Sequence, residues 1–163
     1  MKCIVHILLP DIRSAYNVGS IFRSADCFGV ESIYLSSTTP RPTDRFGRST
    51  SGPQKEIAKT ALGAEKTILW EYIEKAKEVI KKAKKEGFTI IGIEQTSNSI
   101  SVEAFKKQII SKKILCIFGN EVTGISKDLL KCCDTIIEID MKGSKESLNV
   151  SVCAGIILYE LSN

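Results

Sequence analysis

No run of apolar residues in this chain is long enough to cross a bilayer. The longest apolar runs, such as Ile4 to Pro10 with His6 inside it, fall far short of the ~20 residues a membrane helix requires. No apolar segment ending in a small-residue cleavage site follows Met1, so the expectation is a cytoplasmic protein without membrane attachment. Histidine is nearly missing. His6 is the only one, set among Ile4, Val5, Ile7 and Leu8, where a packed mid-strand ring is a better reading than the base of a Ser-His-Asp relay. The six cysteines, Cys3, Cys27, Cys116, Cys132, Cys133 and Cys153, include no C-x2-C pair with a matching second half, which argues against a zinc site. Most lie in apolar runs, where free Cys packs as a small hydrophobe, and reduced thiols fit an intracellular chain. Charge of one sign does not dominate either: 23 basic and 19 acidic side chains leave +4, so the placement of charge matters more than its amount. Internal repeats, low-complexity tracts and linkers are also missing. With 43% hydrophobic and 26% charged residues, the chain reads as one globular domain over 1–163, large enough to bury roughly two thirds of its unfolded surface.

What is present is alternation. Short runs rich in Ile, Val, Leu and Phe recur at Cys3 to Leu9, Ser32 to Leu35, Thr67 to Trp70, Phe88 to Ile93, Ile114 to Phe118 and Thr135 to Ile139. Separated by helix-period segments, they predict an α/β fold with a mainly parallel sheet and helices on both faces. The first helix is expected after Asn17, a good N-cap type, with Val18, Ile21, Phe22, Ala25 and Phe28 as its apolar stripe and Gly29 near its end. A second is expected over Glu71 to Glu86, with Glu71/Lys75 and Glu78/Lys82 at i,i+4 spacing. Its lysines, matched by glutamates, read as a solvated face. The last, Leu148 to Leu161, is apolar on nearly every side. A helix of that kind is covered all round, and part of it is expected to face a second copy in a homodimer.

The nucleotide-binding signatures fail on order. Gly119 and Gly124 have the separation of a phosphate loop, but Ile125 and Ser126 stand where Lys and Ser/Thr should follow directly. No G-x-G-x-x-G follows the first strand. Three other segments are crowded with Gly, Asn and Ser: Asn17–Gly29, Ile117–Gly124 and Ile139–Val152. Together they offer an Arg, a Glu, small polar groups and close-approach glycines, without a histidine base.

At these segments the sequence resembles the SpoU (TrmH-like) family of RNA ribose methyltransferases, of the knotted SPOUT superfamily. The three segments match the family's three motifs in order and spacing, the third, ending in Ser147-Leu148-Asn149-Val150-Ser151-Val152, being the most specific. The sequence departs from the pattern at Asp140, where Pro is usual, and at Cys153, where Ala is usual. The resemblance implies a C-terminal trefoil knot, S-adenosylmethionine as methyl donor, a ribose 2′-hydroxyl of tRNA or rRNA as acceptor, and a homodimer in which Arg23 of one subunit approaches the other's cofactor. The expectation is a single methyltransferase domain without the extra N-terminal RNA-binding domain of some members. Carried over, it makes Asn17, Arg23, Glu121, Ser147 and Asn149 the catalytic set and Thr96, Gly119, Ile139, Met141 and Leu148 the cofactor wall. Ile, Met and Leu suit a flat adenine, although Ile139 and Leu148 read by themselves are plain core residues. Asn17 and Ser147 read equally as helix caps, and Glu121 as a residue fixing its own loop. Arg23, whose guanidinium stays charged, is expected to stabilise the developing alkoxide. Arg41, Arg45, Arg48 and Lys55 lie in a Pro/Gly/Ser/Thr-rich stretch opposed only by Asp44. The expectation is a flexible loop whose Arg41, Arg45 and Arg48 contact RNA phosphates. Two other readings are a non-catalytic RNA-binding module on the same fold and a nucleotide-binding α/β enzyme, the latter disfavoured by the broken phosphate loop.

Overall fold

The computed structural model describes residues 3–44, 46–49, 52–108 and 111–162. Its elements in chain order are β1 (Ile4–Pro10), α1 (Ala15–Phe28), β2 (Ser32–Ser36), α2 (Gly52–Ala61), α3 (Ala64–Thr67), β3 (Leu69–Tyr72), α4 (Ala76–Lys85), β4 (Thr89–Ile93), β5 (Ile100–Ser101), α5 (Val102–Gln108), β6 (Lys113–Phe118), α6 (Lys127–Leu130), β7 (Thr135–Glu138) and α7 (Val150–Ser162). The strands form one seven-stranded sheet in the order β3-β2-β1-β6-β4-β7-β5. Every pairing in it is parallel.

The near-continuous apolar runs follow from burial on both faces. Successive side chains of a strand point to opposite sides, and here both sides are core. Ile7 and Leu9, Ile33 and Leu35, Ile91 and Ile93, Cys116 and Phe118 join α1, α2, α5 and α7 in one cluster. Leu8, Tyr34, Ile90, Leu115 and Ile117 join α4 and Leu129 of α6 in the other. His6 packs between Tyr34 and Phe88 and lies 3.2 Å from a Glu31 carboxylate oxygen, as its mid-strand position implied. All six cysteines are free. No helix among the described residues is long and apolar enough to cross a membrane.

Three expectations need correction. Helix α1 starts three residues early: Ser14 is its N-cap, accepting from the Asn17 amide at 3.3 Å, so Asn17 lies inside the first turn. The helix expected over Glu71 to Glu86 begins only at Ala76, because Leu69–Tyr72 is an edge strand. Trp70 and Tyr72 turn toward the core and Leu69 and Glu71 toward solvent, a period of two too short to register against the longer helical pattern. Glu71 therefore does not pair with Lys75 but accepts from Lys82 at 3.3 Å. Part of the stretch expected to be a loop from Arg41 to Lys55 is helix α2, whose Ile57 and Ala61 are buried against α1. A Cβ on Gly19 would collide with the Ile57 carbonyl and Thr60 Oγ1, so glycine permits that contact. In α7, Ala154, Ile157 and Leu158 are buried in the chain's own core, leaving Val152, Ile156 and Tyr159 exposed at 50%, 37% and 55%.

Candidate active site

Parallel sheets hold ligands outside the carboxyl ends of their strands, and a cleft lies there. The ends of β4, β6 and β7 and the start of α7 enclose about 290 Å³. Ile93, Phe118, Ile139, Met141, Leu148 and Val150 give it apolar walls, while Glu94, Glu121 and Glu138 bring three carboxylates to its lining. Among the described residues, no Lys, Arg or His lines it. That balance suits a cationic ligand bearing a flat apolar ring and opposes a polyphosphate.

The loop between β6 and α6 is tied to itself. Asn120 and Gly124 exchange backbone hydrogen bonds of 3.2 and 3.0 Å, and Asn120 Oδ1 accepts from the amides of Val122 and Thr123 at 2.8 and 3.1 Å. Both glycines are required: a Cβ on Gly119 would strike Gly124 and Ile125, and Gly124 has φ +66° with Glu94 against it. Glu94 in turn accepts from the Ile125 amide at 2.9 Å.

That loop delivers Glu121 to the N-terminus of α1. Its carboxylate accepts from the amides of Arg13 at 2.9 Å and Ser14 at 3.0 Å and from Asn17 Nδ2 at 2.9 Å. A carboxylate is favoured there by the open amides and by the helix dipole. Burial raises its pKa, but these three donors together outweigh it, and the net shift is downward. Asn17 Oδ1 then accepts from Asn149 Nδ2 at 3.1 Å. Asn149 caps α7, its Oδ1 accepting from the Ser151 amide at 2.8 Å.

Three residues of the expected catalytic set, Asn17, Glu121 and Asn149, thus form one hydrogen-bonded chain from the loop through α1 to α7. Ser147 lines the cleft beside it. Arg23 is not brought to the cleft of its own chain: it is exposed on α1. Of the expected cofactor wall, Gly119, Ile139, Met141 and Leu148 line the cleft. Thr96 closes its own turn instead, its amide donating to Ser99 Oγ at 3.1 Å and its carbonyl accepting from that hydroxyl at 2.7 Å. Glu94, Gln95 and Glu138 also line the cleft, though no motif in the sequence marks them; their one available signal is position, as polar residues at the carboxyl ends of parallel strands. Of the two departures from the motif, Asp140 is exposed and pairs with Lys142 at 3.0 Å. Cys153 lines the cleft, and burial, then the charge of Glu94, pushes its thiol up to about 11, so it is neutral at physiological pH.

Of the expected phosphate contacts, Arg41 lies 4.3 Å from the centre of the Tyr72 ring. Arg48 is held by Asp44, with Nε and a terminal nitrogen each 2.9 Å from the carboxylate. Arg45 lies outside the described residues.

The family model described as the SpoU rRNA Methylase family matches residues 4–159. The chain is 30% identical over 156 residues to the 23S rRNA (guanosine-2′-O-)-methyltransferase RlmB of Coxiella burnetii, covering 95% of this chain and 56% of that protein. It is 28% identical over 157 residues to the tRNA (guanosine(18)-2′-O)-methyltransferase of Aquifex aeolicus, covering 94% and 66%. The SpoU methyltransferase AviRb from Streptomyces viridochromogenes, in complex with the cofactor AdoMet, superposes with a TM-score of 0.82 at 22% identity, covering 99% of this chain and 58% of that one. That likeness establishes the fold. The chain spans a little over half the length of the 23S rRNA (guanosine-2′-O-)-methyltransferases it matches in Coxiella burnetii, Nitrosomonas europaea and Shewanella oneidensis.

Proposed function

The chain belongs to the SpoU rRNA methylase family, and from that premise we propose that it transfers a methyl group from S-adenosylmethionine to a ribose 2′-hydroxyl of tRNA or rRNA. The observation that carries the reading is the cleft, with apolar walls, three carboxylates and no basic side chain among the described residues, joined through Glu121 to the Asn17–Asn149 network. S-adenosylmethionine supplies an electrophilic methyl on a positively charged sulfonium, and the cleft's chemistry fits both that charge and the adenine ring. RNA as the substrate class is supported by the names of the relatives, and action in the cytoplasm is part of the same proposal.

In this reading Ile139, Met141 and Leu148 flank the adenine, Gly119 opens the backbone to close approach, and Thr96 holds the turn that presents Gln95. Asn17 and Ser147 orient the 2′-hydroxyl, with Glu121 and Asn149 positioning Asn17. As the O–CH3 bond forms and the C–S bond breaks, the hydroxyl proton passes to an RNA phosphate or water. Arg23 stabilises the negative charge growing on the oxygen, an electrostatic role that does not require it to lose a proton. Its exposed position on α1 is accounted for by a homodimer through α1 and α7, in which it serves the cleft of a second copy. The trefoil knot belongs to the same proposal, supported by family membership and by the order β6-β4-β7 beside residues 139–149 of the lining.

Calorimetry should register binding of S-adenosylmethionine and none of ATP, and labelled methyl should enter unmodified tRNA or rRNA. Arg23→Ala should lower turnover by about 10²-fold, the scale for losing one stabiliser of an oxyanion, with cofactor affinity unchanged. Normal turnover in that variant would refute the role of Arg23. RNA binding without methyl transfer by the unmodified protein would favour a binding module instead.

A further inference from the structure

A second cavity, of about 510 Å³, opens at the carboxyl ends of β1 and β6, and Asn120 and Gly124 line both it and the first. One self-tied loop therefore separates the two spaces. Asp11 lines the second cavity with its backbone in the left-handed region, at φ +57°. Asp tolerates that conformation better than most residues but still at a cost, and such positions concentrate at binding sites. Contacts on two sides hold it there. Its carbonyl accepts from Asn120 Nδ2 at 2.6 Å, and its Oδ1 accepts from the Thr38 hydroxyl at 3.0 Å and the Thr38 amide at 3.4 Å. Oδ2 has no hydrogen-bond or ion-pair partner among the described residues. A fixed carboxylate with an uncommitted oxygen thus faces a cavity next to the proposed methyl donor, with Arg13 at the same cavity.

An ionised carboxylate only accepts hydrogen bonds, and it repels the phosphates of RNA. It can gain from RNA only where the nucleic acid presents donors. Among the four standard bases, guanine alone carries two adjacent donors on its Watson–Crick edge, N1–H and the 2-amino group. Bases presented to an enzyme out of the stack are read on that edge. Pro10 and Leu129 supply apolar surface for the ring, and Arg13 a cation for the attached phosphate.

We propose that the second cavity seats the base of the nucleotide being modified, and that Asp11 determines its identity as guanine by accepting from the Watson–Crick edge. This rests on the methyl-transfer reading, since a base in this cavity would hold its ribose over the loop that borders the cofactor cleft. Asp11→Asn is the informative variant. Asn also tolerates a positive φ and keeps an oxygen for Thr38, but it turns a donor toward guanine's donors.

The protein is incubated with unmodified tRNA and rRNA transcripts and methyl-labelled S-adenosylmethionine, and the RNA is digested to nucleosides. The label is expected in 2′-O-methylguanosine alone. At the mapped position Asp11→Asn should reduce kcat/KM about 10- to 100-fold, with cofactor affinity and Tm unchanged. Inosine at that position, which lacks the 2-amino group, should be a poorer substrate for the unmodified protein and should cost the variant much less, the coupling a direct contact produces. Label in another 2′-O-methylnucleoside, an unimpaired Asp11→Asn, or equal sensitivity of both proteins to inosine overturns the assignment while leaving methyl transfer standing. No labelled ribose at all overturns both.

Discussion

Glu121 ties a loop, a helix start and a side-chain network together with one carboxylate. It receives two backbone amides and the Asn17 side chain, and Asn17 can reach it because Ser14 already caps α1. Removing these bonds with Glu121→Ala should cost about 1–2 kcal/mol, the range for a lost helix cap, or a few degrees in Tm, measured by thermal unfolding. The pH dependence has a definite sign. Its pKa is lower in the folded protein than in the unfolded chain, so its stabilisation is complete above the ordinary glutamate value and is lost as pH falls through the folded value. The difference in Tm between the unmodified protein and Glu121→Ala should therefore shrink as pH is lowered below about 4; a gap that widened in acid would contradict the assignment. The residue types of this site were legible in the motif, but their partners were not. Asn17 looked like a cap because propensity places Asn there, while the neighbouring Ser14 took the role. Glu94 and Glu138 gave no motif signal, because what a strand-end carboxylate faces depends on loops that fold back from far along the chain.

Helices α1 and α7 run side by side in the same direction. Asn17 bonds Asn149, a Cβ on Gly155 would lie 3.6 Å from Ser24 Oγ, and the rings of Phe28 and Tyr159 are 5.9 Å apart edge to face. The alternation of strand and helix, and with it the parallel sheet, was readable from apolar periodicity. The apolar girth of α7 was readable too. A one-dimensional pattern does not divide that girth between the chain's own core and a second copy, and the division decides which substitution tests the dimer. Ile157 is fully buried and Ile156 is 37% exposed. An aspartate at 157 would put an unpaired charge in the core and should abolish folding. Ile156→Asp should instead leave the far-ultraviolet circular dichroism intact and, introduced twice across an isologous contact, shift sedimentation from dimer to monomer with loss of methyl transfer. A folded, fully active monomer, of this variant or of the unmodified protein, would end the proposal that α7 completes the site.

Over the whole molecule, a net charge of +4 is too small to hold a polyanion by itself, so RNA affinity must come from where the cations stand. Many of the surface lysines are already engaged: Lys77 with Asp128, Lys82 with Glu71, Lys84 with Asp134, Lys106 with Glu160. This agrees with the solvated face read for the lysine-rich helix. The segment between β2 and α2 leaves the carboxyl end of the sheet, the same end as both cavities, and carries Arg41 and Arg48. The structure distinguishes the two, which composition did not. Arg48 is bound by the Asp44 carboxylate through two nitrogens, so much of its charge is spent within its own loop. Arg41 has no carboxylate partner among the described residues and is held against the Tyr72 ring, a contact that leaves a guanidinium's outer nitrogens free for phosphate. Binding of tRNA measured across 50–200 mM salt should therefore respond unequally. Arg41→Ala should lower the slope of log K against log salt by close to one, the value for one lost phosphate contact, and weaken binding to all RNA sequences alike. Arg48→Ala should change the slope less, because a guanidinium already paired with Asp44 displaces fewer counterions from RNA. Equal slopes for Arg41→Ala and the unmodified protein would remove this segment from the RNA interface and move the phosphate track to the Arg13 side of the sheet end.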